Sequence, residues 1–161
     1  MVRNLIFLLV FMFVGCEMNS QQIIKPEKFN FDEIKFNSVS KNLFFGSYED
    51  NYEIDNMKKI ISYWYDNRIK TDGFDGTLDV NVKEINTTKV KEEEYFKFSI
   101  NITFEFIEKG ENPSRSKTYT IKASEFGEIK GNFSIKDQEN LTLNIMHQSL
   151  NSVSKKLLEL N

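Results

Sequence analysis

Tyr-Phe-Lys-Phe-Ser-Ile-Asn-Ile-Thr-Phe-Glu-Phe, residues 95–106, decides the fold. Phe96, Phe98, Ile100, Ile102, Phe104 and Phe106 fall on one side of a two-residue period. Lys97, Ser99, Asn101, Thr103 and Glu105 fall on the other. Alternation this strict predicts a strand with one buried face and one wet face. Its apolar face needs a covering layer, and the rest of the chain is read for what supplies it.

Immediately downstream, residues 108–115 hold Gly110 and Pro113 and predict a hairpin turn. A strand over 117–123 follows, with Tyr119, Ile121 and Ala123 inward. Upstream, residues 86–94 read as a polar turn. Residues 77–85 read as a strand with Leu78, Val80 and Val82 on one face and Asp79, Asn81 and Lys83 on the other. The first strand candidate spans 29–39. Phe29 and Phe31 alternate on one face, and Ile34 and Phe36 on the other. The phase slip near Asp32 and Glu33 fits either a bulge or a strand confined to the second half.

Two helices supply the cover. Residues 47–69 start with Ser47 and Asp50 in capping-box spacing, and Glu49 and Asp50 suit the positive helix N-terminus. Ile54, Met57, Ile61 and Trp64 form one stripe at helical spacing, with Ile60 and Tyr65 on its margins. Arg68 closes the stripe, and Gly73 is expected to supply a left-handed stop. Tyr52, Lys59 and Tyr63 share the opposite face, where exposed tyrosines can anchor a partner. Residues 124–135, interrupted by Gly127 and Gly131, read as a loop packed over the domain.

Ser134 with Asp137 marks a second capping box. The helix behind it carries Leu143, Met146, Leu150, Val153, Leu157 and Leu160 in an a/d-like seam. Leu141 and Ile145 point away from that seam. They are either covered by the 124–135 loop or form a contact patch. The order strand, helix, three strands, helix gives an α+β class. The expected architecture is a two-layer sandwich, a four-stranded mostly antiparallel sheet with two helices on one face. The Ser/Thr/Asn/Lys face stays open to solvent or a partner.

The N-terminus is organised differently. Arg3 supplies a positive charge, and residues 5–14 are an apolar run about half the roughly 20 residues that cross a bilayer. Phe13-Val14-Gly15-Cys16 ends the run and resembles the bacterial lipobox. Gly15 and Cys16 match it, Val14 is a tolerated variant, and Phe13 departs from the usual aliphatic residue. The resemblance implies a signal peptide over 1–15 and lipidation of Cys16 by a diacylglycerol. The new amine is then open to a palmitate-type acyl chain, since two or three chains hold a membrane where one holds it marginally. The alternative is an ordinary secretory signal with an incidental cysteine. Residue 17 is Glu rather than Asp, and by the same resemblance this points to the outer membrane, on its periplasmic face. Residues 16–28, polar and with Pro26, read as a tether, and 29–161 as one domain.

The 161 residues carry 21 basic and 24 acidic side chains, a net charge of −3. No clustered basic face suggests nucleic acid. The single cysteine rules out an internal disulfide, so the domain relies on its core. The 15 phenylalanines, with frequent Asn, Lys and Ile, fit an AT-rich genome better than a lipid-binding specialisation.

No catalytic constellation emerges. His147 is the only histidine, and metal sites and general bases both need converging partners. Asp72-Gly73-Phe74-Asp75-Gly76 lacks the spacing and terminal Glu of a calcium loop and reads as a tight turn. The run 91–94 reads as a solvated turn. The Asn-X-Ser/Thr matches at Asn86, Asn101, Asn132 and Asn140 read as chance in an Asn-rich chain. The expectation is a protein that is not an enzyme and uses neither metal nor cofactor.

An acylated cysteine followed by strand, helix, three strands and a long C-terminal helix is similar to the LPS-assembly lipoprotein (LptE-like) family. The similarity lies in element order alone, and the motif match stops at Gly15-Cys16. Glu17-Met18-Asn19-Ser20 stands where that family has an aromatic and proline-containing stretch. The resemblance implies a two-helix, four-strand sandwich that plugs an outer-membrane barrel. The expected partners are membrane lipid, through the anchor, and an outer-membrane barrel or envelope transporter protein. The expected function is a non-catalytic assembly or scaffold subunit. The alternative, motivated by the Phe-rich inner face, is a lipid- or small-ligand-binding auxiliary lipoprotein of an envelope transporter. A carboxylate hydrolase is the distant third.

Overall fold

In the computed structural model, residues 33–49, 51–110, 112, 114 and 116–160 are described. The signal, Cys16, the tether, Asp50 and the Phe29–Phe31 half of the first strand candidate lie outside them. The long alternating segment forms β5 (Tyr95–Lys109), and its six predicted inward residues are all buried. On one side it pairs antiparallel with β4 (Thr77–Glu92), and on the other antiparallel with β6 (Lys117–Lys130). A fourth strand, β2 (Ser40–Phe45), runs parallel to β4, giving the order β2-β4-β5-β6. Helices α1 (Tyr52–Arg68) and α2 (Ile135–Leu160) cover the apolar face. A separate pair of short parallel strands, β1 (Ile34–Phe36) and β3 (Ile69–Thr71), closes one end. The α+β class and the mostly antiparallel four-stranded sheet are as the sequence predicts.

Four local expectations are corrected. The first strand of the main sheet is β2, not residues 29–39. Its partly buried positions are Lys41, Leu43 and Phe45, so a lysine stands at the head of the inward row and hides the period. Ile34 and Phe36 go instead to β1, where the Phe36 ring stacks on Phe106 at 6.1 Å.

Helix α1 begins at Tyr52. Asn51 is its N-cap, and its side chain accepts from the Ile54 N–H at 2.9 Å. No glycine stops it, because Ile69 is already extended and leads straight into β3. Gly73 serves a different need. A Cβ there would lie 2.5 Å from the Asn37 carbonyl carbon, so the glycine lets the two backbones approach. Gly76 carries the positive φ, at +79°.

Residues 86–92 are strand. An extra residue, Lys83, shifts the register between Val82–Phe104 and Glu84–Thr103, and beyond it Ile85 takes the buried face. The hairpin then runs past the first turn of α1, where Lys89 pairs with Glu53. Both faces are wet there, which is why the segment reads as a turn.

Residues 124–130 continue β6. The inward positions hold Glu125 and Gly127, which erases the apolar alternation. Gly127 leaves room for α2, since a Cβ would meet Leu141 Cδ1 at 2.7 Å and Ile145 Cδ1 at 2.8 Å. The Ser134–Asp137 capping box forms as predicted. Asp137 Oδ2 accepts from the Ser134 N–H and Oγ at 2.8 and 2.7 Å, and Ser134 Oγ accepts from the Asp137 N–H at 3.2 Å.

Candidate functional surfaces

Large apolar side chains occupy the space between sheet and helices. Trp64, Phe98, Phe104, Phe106, Ile61 and Met146 are among the side chains with no meaningful exposure. Trp64 tilts against Phe104 at 5.5 Å, and its indole N–H donates to Ser154 Oγ on α2 at 2.9 Å, joining the two helices. A cleft of about 400 Å³ lies elsewhere. It is outside the core, between β6 and the last turns of α2, and is lined by Ile121, Lys122, Lys156 and Leu160 among others.

The uncovered face of the sheet is a hydrogen-bonded polar lattice. Asp79 is its most enclosed member, only 7 % exposed. Asn42 Nδ2 donates to its Oδ1 at 2.9 Å, and the Lys109 ammonium donates to Oδ2. Burial pushes the Asp79 carboxyl up. The hydrogen bonds from Lys109 and Asn42, with the Lys109 charge, outweigh burial and hold it below the ordinary carboxylate value. Asn81 Nδ2 donates to Glu105 Oε2 at 3.1 Å, Thr103 Oγ1 to Glu84 Oε2 at 3.0 Å, and Ser124 Oγ to Asn101 Oδ1. Phe44 and Phe126 stand exposed on this face, with Lys97 Nζ 4.9 Å from the Phe126 ring centre.

The sequence-predicted contact residues separate into two groups. Tyr52, Lys59 and Tyr63 are exposed on the outer face of α1, opposite the buried Ile54–Met57–Ile61–Trp64 stripe. Leu141 and Ile145 are not a surface patch. Ile145 is buried and Leu141 partly so, both over Gly127. The stripe α2 buries is broader than an a/d seam and shifted toward Ile145, Met146 and Ser149, because the longer β6 gives it a wider floor. Leu143 is only partly buried and Leu160 is exposed. His147 is half-buried, and burial pushes its imidazole down to about 4, so it is neutral near pH 7.

Two features escape a reading by periodicity. Lys41 Nζ donates to the carbonyls of Tyr65 and Ile69 at 3.0 and 2.6 Å, and so caps the C-terminal end of α1. The same ammonium lies 4.1 Å from the Tyr65 ring centre. The Tyr65 phenol is pushed up to about 12, first by burial and then by Asp66 and Asp79. The signal for Lys41 was a cation in phase with Leu43 and Phe45. The second feature is Phe74, 98 % exposed on the loop between β3 and β4. That loop is held by hydrogen bonds from Asp72 N–H to Phe36 O and from Gly73 N–H to Ser38 O. Among the described residues, no group of three or more His, Cys, Asp or Glu is placed to hold a metal ion. None of the described helices is long and apolar enough to cross a membrane.

No protein-family model and no curated protein sequence matches the chain. Among solved structures it is similar to a minor lipoprotein from Acinetobacter baumannii, with 9% identity and a TM-score of 0.47 over 73% of this chain and 89% of that one. It is also similar to the rare lipoprotein B from Shewanella oneidensis, with 8% identity and a TM-score of 0.39 over 74% and 91%. A third is the hypothetical protein CT253 from Chlamydia trachomatis, with 7% identity and a TM-score of 0.38 over 78% and 98%. At these values the functional reading rests on the chain's own residues.

Proposed function

We propose that the chain is a lipid-anchored protein of the bacterial envelope that acts as a non-catalytic assembly or scaffold subunit. The observation that carries this reading is the apolar run ending in Gly15-Cys16, followed by a polar stretch and a domain whose interior holds large buried apolar side chains. The anchor delivers the domain, and its surfaces do the work. These surfaces are the polar lattice with Phe44 and Phe126, the Tyr52–Lys59–Tyr63 face and the Phe74 loop. The partner is an outer-membrane barrel, of the kind that exports lipopolysaccharide, by the likeness in element order. The chain then sits on the periplasmic face of the outer membrane.

A carrier of lipid or a small ligand would need a cavity of several hundred cubic ångströms between sheet and helices. Large buried side chains occupy that space, and this favours the scaffold over the carrier. Purification in mild detergent followed by mass spectrometry separates the two. A stoichiometric barrel supports the scaffold, and a lone chain with extracted lipid supports the carrier. For the anchor, Cys16→Ser should leave the chain unprocessed or release it from the membrane. A processed Cys16→Ser chain that still partitions into membranes would refute lipidation at that residue.

A further inference from the structure

Phe74 differs from the other exposed phenylalanines. Phe44 and Phe126 lie along the sheet and keep part of their surface covered, whereas Phe74 is 98 % exposed on the loop between β3 and β4. That loop is fastened on both sides of the ring. Asp72 N–H donates to Phe36 O at 3.3 Å, Gly73 N–H to Ser38 O at 3.1 Å, and Val39 N–H to Gly76 O at 3.2 Å. Lys35 pairs with Asp72 at 3.5 Å. The bond from Val39 ties a second exposed apolar side chain to the same loop. A ring held out on an ordered backbone gives up little further freedom on burial, so its apolar transfer is available to whatever covers it.

The place of the loop in the chain says what that is. Ser38 and Gly73 each follow closely on the Ile34–Ile69 pair that opens β1 and β3, at most about 14 Å along the chain. The sheet's other end, where Glu92 pairs with Tyr95, lies about 50 Å along β4 from Thr77. Residues 17–32 separate Cys16 from Glu33 and reach at most about 60 Å. An anchor at Cys16 lets the Phe74 end meet the bilayer with most of that length to spare, whereas the far end would use nearly all of it. We propose that Phe74, with Val39 beside it, inserts into the lipid surface that holds the anchor. This deepens the anchored reading above and rests on lipidation of Cys16. The ring enters the boundary between headgroups and acyl chains, about 5–10 Å deep. The domain then stands on its β1–β3 end, which leaves the open sheet face and the outer face of α1 clear for a protein partner.

The test is tryptophan fluorescence of the full chain, purified from membranes and reconstituted into phosphatidylethanolamine–phosphatidylcholine vesicles whose acyl tails are brominated near the headgroup. The wild type has one tryptophan, the buried Trp64, and its emission should be indifferent to the bromine. Phe74→Trp should add a blue-shifted component that the brominated tails quench. Ile135→Trp, exposed at the other end of the domain, should add a component that they do not. Val39→Asp placed in the Phe74→Trp chain should cut the quenching about threefold, because it brings a charge to the lipid boundary. Unchanged thermal unfolding of each variant keeps a folding defect from mimicking the result. Flotation of the wild-type chain with the vesicles reports the anchor separately. Flotation without quenching at Phe74→Trp, or with equal quenching at Ile135→Trp, overturns the proposal and leaves the anchor standing. A wild-type chain that does not float overturns both.

Discussion

The two faces of β5 are built from one strand and held by different physics. Phe96 to Phe106 lose almost all contact with water beneath the helices, and Lys97 to Glu105 keep theirs while bonding sideways to β4 and β6. The inner face is stabilised by transfer of apolar surface, which is large per residue and intolerant of voids. The outer face exchanges water for neighbours nearly evenly, so each bond there adds little net stability. The inner face thus fixes the fold, and the outer face is free to be specified by a partner.

Phe104→Ala breaks the comparison on its expensive side. Phe104 touches both Trp64 and Phe106, so the cavity should cost about 3–5 kcal/mol in urea unfolding. A loss under about 1 kcal/mol would mean the layers repack freely. Asp79→Ala tests the exception on the polar face. It removes the acceptor of both Asn42 and Lys109 at an enclosed position, and should cost about 1–3 kcal/mol.

His147 sits between the extremes. Its folded value, about 4, lies below the ordinary 6.5, so the native state resists protonation. Stability is therefore full above pH 6.5, falls as pH drops toward 4 while the unfolded chain takes up the proton, and levels off below. After discounting for partial exposure, the loss should be about 1–2 kcal/mol, and His147→Gln should flatten that slope in pH-dependent unfolding. At the small end, Asn101→Ala removes only an exposed bond to Ser124 and should change stability by less than about 0.5 kcal/mol. A larger effect would show that the lattice acts as a unit.

The sequence is legible where one face is uniformly apolar. β5, the core of α1 and the Ser134–Asp137 cap all follow from spacing alone. It is illegible where an inward position is filled for another reason. Lys41 faces inward to cap a helix, Gly127 faces inward to admit Leu141 and Ile145, and Lys83 is an extra residue that inverts the phase of β4. Each hides a strand or shifts its end. The same cause explains the candidate site. Tyr52, Lys59 and Tyr63 lie where helical geometry puts them, whereas Leu141 and Ile145 are buried by a strand extension that the alternation does not announce.

The direct passage of α1 into β3 also defines a load path. β1 is the first described strand, and its first ladder pair is Ile34 with Ile69, the residue that ends α1. Tension from the N-terminal side therefore falls first on the three residue pairs of β1 and β3 and on the last turn of α1, which Lys41 clasps. Next along the chain is β2, the edge strand of the main sheet and the source of Lys41. Under the anchor proposed above, a pull from the N-terminus would open this small parallel pair before it reached the longer ladders of β4, β5 and β6.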